Sequence, residues 1–324
     1  MKVLCGDIGG TSTRLALVEW NDGAPRLLKQ NTYSSADYDA LDGALDAFVG
    51  DDDPGLGGAG FGVAGPVIHG RVETTNLPWV VDASALATRF GLRSVSLVND
   101  LAALAYGVDL VKPHWKTVQA PSGEAHSSSR VFVGAGTGLG VAYEAHGEVH
   151  ASEGGHVGFS PRDDDEVELW RRATQRFGRA SAERLVSGGG LPLIFEHYAD
   201  VCGTTASLRE EVKERGGPAI SEAAGAGDEA ARKTLAKFVS LFGSASGDLA
   251  LVFRPSTLFI AGGLALKLAD GMPEFNEIFL GAFHNKGRMR QLNEGVGVHV
   301  VADESAALLG AASSAMRCAM SGSK

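Results

Sequence analysis

The segment GDIGGTSTRLAL, Gly6 to Leu17, is the most informative part of this 324-residue chain. Apolar residues alternate on both sides of its glycines, and after Thr11 the chain continues as TRLALVEW, a predicted turn at Asn21–Gly23, and RLLKQNTY. This succession is typical of strand, turn and strand. The glycines are therefore predicted at the tip of a β-hairpin.

A second glycine-rich turn, GAGTGLGV from Gly134, repeats this arrangement and is followed by two alternating runs around His146-Gly147. In P-loop and Rossmann folds the glycine loop leads directly into a helix. Neither loop does so here, no Lys-Ser or Lys-Thr follows the glycines, and Leu139 stands where the dinucleotide fingerprint needs its third glycine. Two matched hairpin tips instead predict a phosphate clamp in two similar halves with a cleft between them. For either loop alone, an ordinary tight turn is the alternative.

The chemistry of the two loops suits a nucleotide with its cation. We expect their glycines to adopt positive φ and to let backbone N–H groups converge on an anion, with hydroxyl donors from Thr11, Ser12 and Thr137. Asp7 lies in the first loop, and a carboxylate beside phosphates suggests Mg²⁺ bound through water. The alternative for Asp7 is that it caps its own turn.

Composition limits the classes of partner. The net charge of −10, the pI near 5.4 and the absence of a Lys/Arg-rich run argue against nucleic acid and anionic membranes. The length predicts two domains. No uninterrupted run of 18 apolar residues occurs and the first loop starts at residue 6, so we expect a cytoplasmic protein without a signal peptide. Cys5, Cys202 and Cys318 form no metal or redox pattern and are expected to be reduced and structural.

Asp100 is the predicted catalytic residue. It follows the predicted strand SVSLV at 94–98 and starts a predicted helix over 100–110. Ligands gather at the carboxyl ends of strands in α/β sheets, and a carboxylate there can act as a general base worth roughly 10²–10⁴ in rate. Asn99 beside it can exchange hydrogen bonds with sugar-like hydroxyls. The alternative is that Asp100 only N-caps the helix.

Three further segments carry polar or glycine residues of interest. In ASEGGHVGF, Glu153 and His156 can converge on a small polar ligand, although a lone His is more often structural. In SAERLVSGGGL, Ser181 can cap a short helix with Glu183 in its first turn. In FIAGGLALKL, a strand passes through Gly262 and Gly263 into a helix whose N-terminus can face a nucleobase or phosphate, and a structural αβ turn is an equal interpretation.

Taken together, six segments resemble the bacterial glucokinase family of the hexokinase, actin and heat-shock-chaperone superfamily, over nearly the whole chain. GDIGGTSTRLAL is similar to the first phosphate motif of that family, GAGTGLGV to its second and IAGG to its adenosine motif. LVND, EGGH and SAERLVSG resemble its sugar-binding and catalytic segments, in the same order. One such motif is a weak signal, whereas six in order are specific.

The resemblance implies an α/β protein with the two-lobed actin-like ATPase (ribonuclease H-like) fold and a central cleft. The small α/β lobe would comprise residues 1–110 and 302–324, and the large α+β lobe residues 111–301. Mg·ATP would bind between lobes that close on the sugar, in a homodimer. The residues expected to bind the nucleotide are Gly6, Asp7, Ile8, Gly9, Gly10, Thr11, Gly136, Thr137, Gly138, Gly262 and Gly263.

The activity implied by the resemblance is ATP-dependent phosphorylation of glucose to glucose 6-phosphate, with Asp100 as the base that activates the 6-hydroxyl. The residues implied to contact glucose are Asn99, Asp100, Glu153, His156 and Glu183. The related repressor and sugar-kinase family carries a Cys-rich zinc motif that does not follow His156 here, which places the chain with the zinc-free glucokinases. Gly158 stands where some relatives carry an acidic residue, a departure that concerns finer specificity.

Two other functional classes use this fold. A non-catalytic sugar or nucleotide sensor is expected to carry an added DNA-binding segment or to lack the base, whereas this chain begins at its first phosphate motif and keeps Asp100. A chaperone- or filament-type ATPase would lack the sugar-binding residues. Polyphosphate or ADP as donor, and mannose, fructose or glucosamine as slower acceptors, stay open at this point.

Overall fold

The structure is a computed structural model that describes residues 1–21, 24–50, 55–74, 77–111, 114–122, 128–303 and 305–321. Its strands are β1 (Lys2–Ile8), β2 (Ser12–Asn21), β3 (Ala24–Ser34), β4 (Leu56–Val63), β5 (Arg71–Glu73), β6 (Val80–Asp82), β7 (Val95–Asn99), β8 (Trp115–Gln119), β9 (Arg130–Ala135), β10 (Leu139–Ala145), β11 (Glu148–Ser152), β12 (Thr257–Ala261) and β13 (Gly297–Val301). Its helices are α1 (Leu41–Val49), α2 (Ala83–Arg89), α3 (Asp100–Gly107), α4 (Asp164–Phe177), α5 (Leu191–Cys202), α6 (Ala206–Arg215), α7 (Gly217–Ala226), α8 (Glu229–Phe253), α9 (Gly263–Gly271), α10 (Phe275–His284), α11 (Arg290–Glu294) and α12 (Ser305–Ser321).

The chain divides into two compact units. One comprises Met1–Trp115, Glu148–Ala151 and Val301–Lys324, and the other comprises Lys116–Gly147 and Ser152–Val300. One sheet has the strand order β3-β2-β1-β4-β7 and another has the order β11-β10-β9-β12-β13-β8. In each of these sheets an antiparallel hairpin lies beside parallel strands, because β1 pairs with β4 and β9 pairs with β12 in parallel.

Strand β1 has both faces buried in the first unit. Leu4 and Ile8 belong to one hydrophobic cluster with Phe61, while Val3 and Cys5 belong to a second cluster on the alternate positions. Successive side chains of a strand point to opposite faces, so a strand covered on both sides is apolar throughout. Burial raises the pKa of the Cys5 thiol above its usual range.

Helices α3 and α12 pack with their backbones in close approach. A Cβ built at Gly107 would lie 1.8 Å from the Ala306 carbonyl oxygen, and one at Gly310 would lie 1.7 Å from that of Ala103. Only glycine lacks the atom that would collide there. The close packing places the C-terminal helix against the helix that begins at Asp100.

The second unit has a core rich in phenylalanine, with Phe238 and Phe242 of α8 and Phe279 of α10 fully buried. Helix α8, 25 residues long, has the length and apolar composition of a membrane span. It packs against α5, α7 and α10 within this core. Its apolar character is therefore explained by burial inside the protein.

The structure confirms the two predicted hairpins, because Ile8 pairs with Thr13 and Leu139 pairs with Ala135 across the glycine tips. Short strands β5, β6 and β8 were not anticipated. The predicted turn at Asn21–Gly23 lies partly outside the described residues.

The predicted short helix capped by Ser181 is wrong. Residues 181–190, all of them described, form turns, and Ser181 makes an isolated antiparallel bridge with Gly158. The backbone N–H of Ala182 donates to the carbonyl of Val157 at 2.9 Å, and that of Glu183 to the carbonyl of Gly155 at 2.9 Å. Pairing with a distant segment has replaced the local helical pattern.

Candidate active site

The first glycine loop is closed by a backbone hydrogen bond and supported by a distant serine. The N–H of Gly9 donates to the Ser12 carbonyl at 3.0 Å, across the tip of the hairpin. Ser35, which is buried, donates from Oγ to the Gly9 carbonyl at 2.9 Å and from its backbone N–H to the Thr11 carbonyl at 3.0 Å. Ser35 therefore holds the loop from outside, a role that sequence reasoning missed.

Two residues of the predicted phosphate motif have structural roles. A Cβ at Gly6 would lie 2.8 Å from Leu15 Cδ2 and 2.9 Å from Phe61 Cδ1, so this glycine makes room for the core. The Ile8 side chain is itself buried in that core, so only its main chain is available to a ligand. Within β1, Asp7 pairs in register with Arg14 on β2 and with Gly62 on β4.

Asn99, the last residue of β7, caps helix α3. Its Oδ1 accepts hydrogen bonds from the backbone N–H of Leu101 at 3.0 Å and of Ala102 at 3.4 Å. The alternative in which Asp100 is the N-cap is therefore wrong, because Asp100 is the first residue of the helix. Its Oδ1 accepts from the Leu101 N–H at 2.8 Å.

Asp100 has an unusual protonation equilibrium. The pKa of its carboxyl is raised to about 6, first by burial and then by the negative charge of Asp7, while hydrogen bonds from the Leu101 N–H and the Asn99 side chain oppose the shift. Gly62 on β4 leaves space beneath this residue, since a Cβ there would lie 2.9 Å from Ala103 Cβ and 3.8 Å from Asp100 Cα. Such a pKa is typical of a carboxylate poised to exchange protons.

The second glycine loop spans Gly136–Gly138 between β9 and β10. The N–H of Gly136 donates to the Gly138 carbonyl at 2.9 Å, and Gly188 donates to the Gly136 carbonyl at 2.7 Å. The expectation of positive φ is wrong for Gly9, Gly136 and Gly138. At Gly138 the reason for glycine is close approach, since a Cβ would lie 2.5 Å from Glu183 Oε2.

Three predicted sugar-binding residues lie together beside this loop. His156 Nε2 lies 3.7 Å from Glu153 Oε2, and His156 Nδ1 lies 3.6 Å from Glu183 Oε1. Glu183 Oε2 accepts a hydrogen bond from the Leu139 N–H at 3.0 Å. The cluster offers two carboxylates and an imidazole, which are the acceptors and donors that a polyhydroxyl ligand needs.

The backbone around His156 is held tightly. Gly155 lies against β10 so closely that a Cβ there would be 1.9 Å from the Leu139 carbonyl oxygen. Arg179 donates from Nη1 to the His156 carbonyl at 2.9 Å. Arg179 is a further residue that sequence reasoning missed, since nothing in the local pattern links it to the EGGH segment.

The predicted adenosine motif lies next to the second loop. Gly262 has φ of +91°, and a Cβ there would lie 2.4 Å from the Ala135 carbonyl oxygen, so both conformation and space require glycine. A Cβ at Gly136 would lie 4.0 Å from the backbone nitrogen of Gly263, the first residue of α9.

A pocket of about 620 Å³ has Gly188, Gly189, Pro192, Phe195, Arg209 and Gly216 in its lining. Gly188 in this lining is the residue whose N–H donates to the Gly136 carbonyl of the second glycine loop, so the pocket lies beside that loop.

Among the described residues, no group of three or more His, Cys, Asp or Glu side chains has the geometry of a metal site. Asp7 and Asp100 nevertheless form a pair of interacting carboxylates. Mg²⁺ commonly keeps several water ligands and takes one or two carboxylates together with substrate phosphates. The pair fits a magnesium ion held through water.

Comparison with known proteins decides the family. The glucokinase family model matches residues 4–318. The chain belongs to the glucokinase family. A glucokinase from Caulobacter sp. (strain K31) is 35% identical over 317 residues, which cover 95% of this chain and 93% of that protein. A glucokinase from Trichormus variabilis is 33% identical and covers 97% of this chain and 99% of its own length.

Solved glucokinase structures share the fold. The crystal structure of glucokinase from an Antarctic psychrotroph has a TM-score of 0.82 and 30% identity, covering 98% of this chain and 99% of that one. Glucokinase from Balamuthia mandrillaris in complex with glucose has a TM-score of 0.80 at 20% identity, covering 97% and 93%. These matches confirm the predicted actin-like ATPase fold and family, and make this glucokinase a glucose kinase.

Proposed function

We propose that this glucokinase transfers the γ-phosphoryl group of ATP to the 6-hydroxyl of glucose with Asp100 as general base. The observation that carries the proposal is the Asp100 carboxyl at the start of α3, whose pKa is raised to about 6 by burial. A base titrating close to neutral pH can accept a hydroxyl proton as the bond to phosphorus forms. Positioning and charge neutralisation supply most of the remaining rate.

In the proposed step one bond to phosphorus forms, one breaks, and one proton moves to Asp100. The 6-oxygen of glucose forms a bond to the γ-phosphorus while its proton passes to Asp100. The bond between the γ-phosphorus and the oxygen that bridges to the β-phosphate breaks, and its electron pair leaves with ADP. The carboxylate of Asp100 is therefore the form that reacts.

The sugar would be oriented by Asn99, Glu153, His156 and Glu183. The distances of 3.6 and 3.7 Å among the last three support a shared ligand, because these groups are close without being fully hydrogen-bonded to each other. The Oδ1 atom of Asn99 is used in capping α3, so its amide Nδ2 is the end we assign to the sugar.

The nucleotide would be held by the two glycine loops. The N–H groups of Gly9 and Gly136 close their own turns, so we assign the backbone amides of Gly10, Thr11, Thr137 and Gly138 to the phosphates. Gly262 and Gly263 are assigned to the nucleoside, and the 620 Å³ pocket beside Gly188 is large enough for a base. Mg²⁺ bound at Asp7 through water would neutralise phosphate charge. The Asp7–Asp100 carboxylate pair supports this assignment.

The organisation of the enzyme is also a proposal. We assign residues 1–110 with 302–324 to the small lobe and 111–301 to the large lobe, in an enzyme whose lobes close on the sugar. The family resemblance supports a cytoplasmic homodimer. Light scattering on purified protein measures the oligomeric state.

A coupled assay with a hexose panel tests the function. We expect turnover of glucose with ATP and Mg²⁺, weaker turnover of mannose, fructose and glucosamine, and little with ADP or polyphosphate. His156→Ala should raise KM for glucose at least tenfold with KM for ATP little changed, whereas Glu148→Gln, on an exposed position of β11, should change neither. Absence of hexose phosphorylation by a protein that binds both substrates would contradict the proposal.

A further inference from the structure

The Glu183 carboxylate contacts both halves of the proposed substrate site in the second unit. Its Oε2 accepts the Leu139 N–H at 3.0 Å, immediately after the phosphate loop, and its Oε1 lies 3.6 Å from His156 Nδ1 on the sugar side. The side chain is 25% exposed, so solvent reaches it only partly. One rigid planar group thus spans the two segments.

Gly138 is the residue that admits this carboxylate. A Cβ at position 138 would lie 2.5 Å from Glu183 Oε2 and 3.4 Å from its Cδ. The backbone of Gly138 is not in the left-handed region, so its conformation alone does not require glycine. A methyl group at this position would instead displace the Glu183 carboxylate from its present place.

The main chain fixes the point from which the Glu183 side chain extends. Its N–H is bonded to the Gly155 carbonyl at 2.9 Å, and Gly155 in turn lies against Leu139 with no room for a side chain. A carboxylate displaced from the Leu139 N–H must therefore change its position relative to His156. Packed groups of this kind transmit displacements because they cannot deform continuously.

We infer that Glu183 is a positioning residue that couples the phosphate loop to the sugar site, and that Gly138 of the phosphate loop determines the affinity for glucose. The inference rests on the proposed function, in which Glu183 contacts glucose. Loop movements that accompany nucleotide binding would reach the sugar through this carboxylate. By linkage, each substrate then alters the affinity for the other.

The test is glucose binding measured by calorimetry without any nucleotide. Gly138→Ala should raise the Kd for glucose about tenfold or more, the scale of one lost hydrogen bond to a charged group. Gly225→Ala, at an exposed position of α7, is the control, since a Cβ there would meet no described residue within 4 Å apart from its own helix and chain neighbours, and we expect less than a twofold change. In wild type, an ATP analogue should change the glucose Kd, and Gly138→Ala should remove most of that change.

A double variant, Gly138→Ala with Glu183→Ala, distinguishes coupling through Glu183 from general damage to the fold. In a Glu183→Ala background, Gly138→Ala should change the glucose Kd by less than twofold, and any folding defect of Gly138→Ala should be relieved because the colliding carboxylate is gone. Unchanged glucose affinity in Gly138→Ala, or a Gly138→Ala effect that persists in the Glu183→Ala background, overturns the coupling. If Glu183→Ala alone leaves glucose affinity unchanged, it is the assignment of Glu183 to glucose in the proposed function that fails.

Discussion

Asn99 takes the N-cap of helix α3 and so leaves Asp100 as its first residue. Asn99 Oδ1 accepts hydrogen bonds from the N–H groups of Leu101 and Ala102, while Asp100 Oδ1 accepts one from the N–H of Leu101. A capping asparagine carries no charge, so the partly buried carboxyl of Asp100 has no second anion next to it in the chain. The division of roles lets one residue hold the helix and the other act on a ligand.

The pH dependence of kcat/KM for glucose should follow the ionisation of the Asp100 carboxyl. Its folded pKa of about 6 lies above the ordinary value of 3.8, and the active form is the carboxylate. Log kcat/KM should therefore be level above pH 7 and fall with unit slope as the pH drops below about 6. A profile that stays level down to pH 4.5, in protein shown by circular dichroism to be folded there, would contradict this assignment.

Asp100→Asn should stabilise the folded protein at pH 8. Because the folded pKa is raised, the native state keeps a proton between about pH 4 and 6 that the unfolded chain has lost, so the Asp100 contribution to the free energy of unfolding decreases as pH rises through that window. Above it the charged group costs up to roughly 3 kcal/mol. Melting temperatures should show Asp100→Asn above wild type at pH 8, with the difference vanishing near pH 4. Asp37→Asn, at an exposed position, should show no such trend.

Two substitutions of Asn99 distinguish its role as the N-cap of α3 from its effect on the ionisation of Asp100. Asn99→Ala should lower stability by about 1 kcal/mol through loss of the cap. Asn99→Asp keeps the cap acceptor but places a negative charge beside Asp100, so the acid limb of the pH profile should move to higher pH. Asp82→Ala is the matched control, because Asp82 caps α2 through the N–H groups of Ser84 and Ala85. It should cost similar stability and leave the profile in place.

Gly155→Ala should damage the sugar site, whereas Gly158→Ala, three residues later, should not. A Cβ at Gly155 would lie 1.9 Å from the Leu139 carbonyl oxygen, so the EGGH segment must shift away from β10. We expect a loss of stability of roughly 1–3 kcal/mol and weaker glucose binding. Equal glucose affinity and equal melting temperature in the two variants would show that this close approach is unimportant.

Local patterns predicted the parts of the site that depend on short-range order. The alternation around Gly6–Leu17 and Gly134–Val141 specifies two hairpins, because strand periodicity and glycine turns are local properties. The same pattern led us to expect glycines for their positive φ, which is not what Gly138 shows. A Cβ at Gly138 would meet the carboxylate of Glu183, which lies 45 positions away, and such contacts carry no local signal.

Other differences have similar causes. Asn99 and Asp100 are both good capping residues, so the sequence could not choose between them as the N-cap, although the predicted start of the helix at residue 100 is the observed one. Ser181–Glu183 has a helical pattern that is overridden by pairing with Gly155 and Val157. Strands β5 and β6 have three residues each, too few to show a period.

The role of Asp100 as general base is tested by comparing Asp100→Asn with wild type in two measurements on the same preparation. Glucose binding by calorimetry should stay within a few-fold of wild type, while kcat for glucose phosphorylation with ATP should fall by about 10²-fold or more. A near-normal kcat in Asp100→Asn would show that Asp100 is not the base.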